Sequence, residues 1–153
     1  VRLVTIFSLV FLLFACSEDL HYEQSVSIEE SAWSYEDLIS YSFEVADSEK
    51  TYDILLEVNH SPEFTYENFY VNIHTTFPSG EKVSDQVSIQ LADELDQWQG
   101  RCSGSNCRTV ILLQNKVKFK EVGRHEIQIE QYNRQDPLIG IHNLTLKIAN
   151  VKL

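Results

Sequence analysis

The sequence predicts an all-β protein, an antiparallel β-sandwich of the jelly-roll or immunoglobulin-like kind with about seven or eight strands. Three observations carry this expectation. Apolar residues recur with period two in successive segments, polar or glycine- and proline-containing turns separate them at intervals of about 8 to 15 residues, and no segment shows a helical repeat. Antiparallel strands with one apolar face bury that face by stacking two sheets, so a sandwich follows.

The elements can be taken in order. Ile39, Tyr41, Phe43 and Val45 alternate with polar residues and mark a strand with one buried face. Asp47-Ser48-Glu49-Lys50 is a polar turn, after which Tyr52, Ile54, Leu56 and Val58 repeat the alternation. A break at Asn59-His60-Ser61-Pro62 leads to Phe69, Val71, Ile73 and Phe77. Pro78-Ser79-Gly80 is the clearest turn, because proline fixes its own φ and glycine tolerates almost any. Val83, Val87, Ile89 and Leu91 resume the pattern, and a cysteine-bounded loop follows. Val110-Ile111-Leu112-Leu113, then Val117 and Phe119, then Ile127 and Ile129 after a turn at Gly123, and last a pair of segments around Ile141 to Val151 complete the set. There is no internal repeat and no low-complexity tract.

The N-terminus belongs to a different class. Of the first 15 residues 12 are apolar, the exceptions being Arg2, Thr5 and Ser8. As a helix, Leu3 to Ala15 would reach about 20 Å, short of a roughly 30 Å hydrocarbon core, so the segment reads as a signal-peptide core rather than a membrane span. Leu13-Phe14-Ala15-Cys16 looks like a bacterial lipobox, in which a small residue precedes the cysteine that takes the diacylglycerol and further acyl chains such as palmitate. Phe14 is bulkier than the usual occupant, and the competing readings are an ordinary signal peptide cleaved nearby or a buried hydrophobic segment. Lipidation at Cys16 would anchor the chain to a membrane through several acyl chains at roughly 0.8 kcal/mol per buried methylene. The expected organisation is a signal peptide over 1–15, a lipid-anchored tether over 16–32 and a β-sandwich over 33–153.

Three cysteines are an odd number for an exported chain. Assigning Cys16 to lipid leaves Cys102 and Cys107, separated by Ser-Gly-Ser-Asn, which in an oxidising compartment reads as a small disulfide loop. Half of a zinc site is the rival, but zinc needs about four ligands and no second cysteine pair or His-x-x-His follows. A redox dithiol would favour Cys-x-x-Cys.

Charge excludes one partner class. The 138 residues after the leader carry 11 basic and 23 acidic side chains, a formal charge of −12, and no cluster of Lys and Arg to neutralise a phosphate backbone. A nucleic-acid partner is not expected. Catalysis is not expected either: His21, His60, His74, His125 and His142 are scattered without ligand spacing, and no Gly-x-Ser-x-Gly elbow is present. Neither a cofactor nor a metal site is expected. Asp93-Glu94-Leu95-Asp96 has oxygen ligands of the kind calcium takes, against the simpler reading of a solvated loop. Trp33, Trp98 and several Tyr would suit stacking on sugar rings if exposed, although most should pack in a two-sheet core.

A set of short elements runs in order over nearly all of the mature chain. The elements are Trp33, Tyr52 to Asn59, Asn68-Phe69-Tyr70-Val71 leading to Phe77-Pro78-Ser79-Gly80, Asp85, Leu91-Ala92-Asp93 and Trp98-Gln99-Gly100. Val117-Lys118-Phe119 with Gly123, Ile129-Glu130-Gln131 with Arg134, and Leu138-Ile139-Gly140-Ile141 complete it. In their order and spacing the chain resembles the gliding-motility lipoproteins of the GldH type, while the cysteine pair departs from that pattern. Ser17-Glu18-Asp19-Leu20 resembles the signal that sends lipoproteins of gliding bacteria to the cell surface. The resemblance implies a non-enzymatic outer-membrane lipoprotein, on the periplasmic or surface face, that works as scaffold or assembly subunit with other gliding and secretion envelope proteins. The alternative reading is a surface glycan-binding sandwich, and an open groove lined by exposed Tyr or Trp would favour it.

Overall fold

The computed structural model describes residues 19–151, so the leader and Cys16 lie outside the described residues. Eleven strands form in chain order: β1 (Leu20–Ser27), β2 (Ala32–Trp33), β3 (Ile39–Val45), β4 (Tyr52–His60), β5 (Asn68–Thr76), β6 (Lys82–Gln90), β7 (Arg101–Ser103), β8 (Asn106–Val117), β9 (Gly123–Gln131), β10 (Leu138–Ile139) and β11 (Ile141–Asn150). Three of them are only two or three residues long, and the other eight match the expected number. They make a two-layer antiparallel sandwich: one sheet in the order β1-β11-β4-β8-β7, the other in the order β3-β9-β5-β6, with β2 and β10 pairing separately.

Alternation places the core. On β3 the residues Ile39, Tyr41, Phe43 and Val45 are buried, and on β4 Tyr52, Ile54, Leu56, Val58 and His60 face the same interior. Leu144, Leu146 and Ile148 of β11 and Ile127 and Ile129 of β9 complete the two inner faces. Tyr41 ties the layers together, its hydroxyl donating to the Leu144 carbonyl at 2.9 Å. Aromatic rings close both ends. At one, Phe119 packs against Phe43, Tyr52 and His125 with centroids 5.4, 5.5 and 4.9 Å away. At the other, Trp33 meets Phe69 at 6.3 Å, Phe64 meets Phe69 at 6.2 Å, and His60 meets Trp98 at 4.7 Å.

Two expectations need correction. The segment expected to be a tether to residue 32 contains β1, which pairs with β11 along its length and forms the edge of the five-stranded sheet. Tyr22 and Val26 pack against the core, while a register shift between Leu20 and Tyr22 and the exposed, polar Gln24 interrupt the apolar period. The segments at Val110 to Leu113 and at Val117 are a single strand, β8, because its register against β4 shifts between Leu55↔Leu112 and Ile54↔Gln114 and so breaks the alternation. The turn at Pro78-Ser79-Gly80 forms as expected, with the Gly80 N–H donating to the Phe77 carbonyl at 2.8 Å and Gly80 at φ +87°.

Candidate functional site

A concavity lies on the outer face of the four-stranded sheet, at the end away from Tyr52. Its floor follows from register. Asn72 of β5 sits between Gln86 of β6 and Glu130 of β9, and one step along, Tyr70 sits opposite Ser88 and receives the Tyr132 N–H on its carbonyl at 2.8 Å. Because β5 alternates, the residues that bury Phe69 and Val71 necessarily turn Asn68, Tyr70 and Asn72 outward. Tyr35, from the loop after β2, and Tyr66, from the loop before β5, make the walls with Asn133, Arg134 and Gln135. The enclosed space is about 1010 Å³.

Four of the seven tyrosines are therefore at the surface here, Tyr35, Tyr66, Tyr70 and Tyr132 each being 40 to 55% exposed. The first two are fixed by their hydroxyls, Tyr35 donating to the Asn133 carbonyl and Tyr66 to Gln135 Oε1. The loop after β9 is fixed as well. Fully buried Gln131 accepts through Oε1 from the Asn133 N–H at 3.0 Å and the Asn133 amide at 3.1 Å. The Asn133 carboxamide continues the ladder, accepting from the Tyr70 N–H at 3.0 Å and donating to the Tyr70 carbonyl at 3.1 Å. Asp136 Oδ1 takes the Tyr35 N–H at 3.0 Å. A groove built this way is held open before any ligand arrives.

A second polar feature occupies the outer face of the five-stranded sheet. Glu57 of β4 lies between Lys147 Nζ at 2.8 Å and Arg108 at 2.7 Å, with Glu23 of β1 at 3.3 Å from Lys147. Burial pushes the Glu57 carboxyl up, but hydrogen bonds from Arg108, Lys147 and Asn59 outweigh it and hold the group at about 2. The same partner raises Lys147. This cluster spans β1, β11, β4 and β8 and joins strands; it is not arranged around a cavity.

The residues singled out in the sequence separate. Cys102 and Cys107 oppose each other in the β7–β8 register and are bonded, with Cα atoms 3.9 Å apart. Asp93 is a turn residue whose Oδ1 accepts from the Leu95 and Gln97 N–H groups at 2.9 and 3.0 Å. Asp96 beside it raises the Glu67 carboxyl. Among the described residues no three His, Cys, Asp or Glu side chains are grouped to hold a metal ion. Trp33 is fully buried and Trp98 packs against the core, so neither offers a stacking surface. The exposed rings are tyrosines instead. Of these, Tyr70 was legible, since its parity on β5 faces it outward; the other three come from loops whose meeting no local pattern encodes.

The fold and the site together define a disulfide-stapled β-sandwich with a groove built on the outer face of one sheet. The chain belongs to the GldH lipoprotein family, whose profile matches residues 20–148. It is 26% identical over 134 residues to the gliding motility lipoprotein GldH homolog of Christiangramia forsetii, covering 87% of this chain and 82% of that one. It is 23% identical over 124 residues to gliding motility lipoprotein GldH of Flavobacterium johnsoniae, covering 81% of this chain and 76% of that one. A solved structure from Sulfurospirillum deleyianum covers 86% of the chain at 13% identity with a TM-score of 0.39, too slight a likeness to inform the fold.

Proposed function

We propose that this chain is a non-enzymatic outer-membrane lipoprotein, anchored through Cys16, that serves gliding motility and the associated protein secretion machinery as a scaffold or assembly subunit. The observation that carries the reading is the extent of the family match, 20–148, which takes in the sandwich from β1 to β11. What such a domain offers partners is rigid: the outer faces of two sheets, and edge strands whose free backbone groups can pair with another chain. Deleting the gene should abolish colony spreading and the export of surface adhesins; unchanged spreading and export would reject the role. Cys16→Ala should move the protein from the membrane to the soluble fraction, and retention in the membrane would reject the anchor.

A second reading, a surface glycan-binding module, draws support from the tyrosine groove. Exposed aromatic rings beside amide side chains are the chemistry that sugar rings and hydroxyls require.

A further inference from the structure

We propose that the groove on the outer face of the four-stranded sheet binds an uncharged oligosaccharide. In this site Tyr70 and Tyr132 stack under sugar rings, and Gln86, Arg134 and Gln135 bond hydroxyls. The inference rests on the glycan-binding reading and is independent of the scaffold role.

Four observations support it. The rings of Tyr35, Tyr70 and Tyr132 make no ring contact with any described residue, so their faces are available, and a Tyr face accepts the apolar face of a pyranose as it accepts another flat apolar group. The hydroxyls of Tyr70 and Tyr132, the Gln86 amide and the Arg134 guanidinium have no partner among the described residues, which leaves donors and acceptors aimed at the groove. The charges lining it, one carboxylate at Glu130 and one guanidinium at Arg134, offset each other in a body of net charge −12, so an anionic polymer gains nothing from the surroundings. Glu130 is moreover already engaged by His74 Nε2 at 3.0 Å.

The position of the groove weighs against a polypeptide. Strand addition needs an edge, whereas the floor of this groove is a sheet face: β5 and β9 are inner strands paired on both sides, and only the outer side of β6 has free backbone groups. Recognition therefore falls on side chains: flat rings and planar amides. At about 1010 Å³ the space lies at the upper end of small-molecule sites, suited to a short oligosaccharide rather than a single sugar.

The test uses the full chain in a zwitterionic detergent, which has no sugar headgroup to compete. Titration calorimetry is run against neutral hexasaccharides of β-1,4-glucan, mannan, xylan and chitin, with a proline-rich decapeptide as the polypeptide probe. Saturable binding of at least one hexasaccharide is expected, weakened about tenfold by Tyr70→Ala and by Tyr132→Ala and preserved in Tyr70→Phe, which keeps the ring face. Both positions are surface ones, and unchanged melting temperatures verify that the three variants fold. Binding that survives both alanine variants overturns this site while leaving a glycan-binding module standing elsewhere on the chain. No binding of any hexasaccharide overturns both, and tyrosine-dependent binding of the peptide alone overturns the saccharide in favour of a protein partner.

Discussion

Replacing Glu57 with Gln is the most informative perturbation of the fold, because Glu57 joins three strands through charge on a sheet face that alternation alone would leave to solvent. Its side chain is 11% exposed, and its carboxyl is held at about 2 against an ordinary 4.5. Burial by itself would raise that value, so the bonds from Arg108, Lys147 and Asn59 more than offset it. A carboxyl whose folded value lies below its unfolded one stabilises the fold above the unfolded value, and the stabilisation disappears as pH falls through the folded value. The window therefore runs from pH about 5 down to about 2. At about 1.36 kcal/mol per pH unit the full depression corresponds to roughly 3 kcal/mol. The Arg108 side chain is 55% exposed, however, and solvent screening of that contact reduces the expected contribution to about 1–2 kcal/mol. Urea unfolding of wild type and Glu57→Gln, followed by far-ultraviolet circular dichroism from pH about 7 to about 2.5, measures it. The variant should be the less stable at neutral pH, and the gap should narrow by about 1–2 kcal/mol as the acid limit is reached. A gap that stays constant across the acid range would refute the reasoning, since it would mean that the proton on Glu57 is bound equally in the folded and unfolded chain.

Three further outcomes follow from the same structure. Reducing the Cys102–Cys107 bond should lower stability by about 2 kcal/mol, the chain-entropy value for so short a loop, and an unchanged melting temperature under reductant would show that the staple contributes nothing. Gly100→Ala should destabilise by about 1–3 kcal/mol, because its Cβ would stand 2.1 Å from the Arg108 carbonyl oxygen and 2.4 Å from Thr109 Oγ1; a neutral result in thermal melts would mean that β7 and β8 separate easily. Asn133→Ala removes the side chain that continues the β5 ladder at Tyr70 and should cost about 1–3 kcal/mol while hastening proteolysis within 132–137, an effect that limited digestion would detect or exclude.

How much of this was legible depended on whether a strand contrasts its two faces. Ile39 to Val45 and Tyr52 to Val58 do so without exception, and β3 occupies its expected span while β4 runs two residues further, to His60. β1 does not, because an edge strand buries less and Gln24 breaks its period. β8 concealed its unity for a different reason: Val110 and Leu112 face outward and remain about half exposed, so four consecutive apolar residues give no parity to read. The cysteine pair was readable from its spacing and the odd third thiol. The groove was not, since it joins positions near 35, 66–70 and 130–135 that only the strand register brings together. Glu57 on β4 looked like an ordinary outward residue; its burial depends on Lys147, ninety residues later in the chain.

The edge strand β1 changes the mechanical picture of the molecule. Leu20 pairs with Ala149 at the Tyr52 end of the five-stranded sheet, and this first pair lies four residues after Cys16 in the sequence. At no more than about 3.6 Å per residue, a lipid on Cys16 would hold the sandwich within roughly 15 Å of its attachment point. With an anchor at Cys16, so short a reach would confine the domain close to the bilayer and leave it a small volume in which to meet partners. Nine residues of β4 at about 3.3 Å each separate the anchored end from the end that carries the tyrosines. Whatever binds at those tyrosines would be met some 25–30 Å further out, on the side that points away from the lipid.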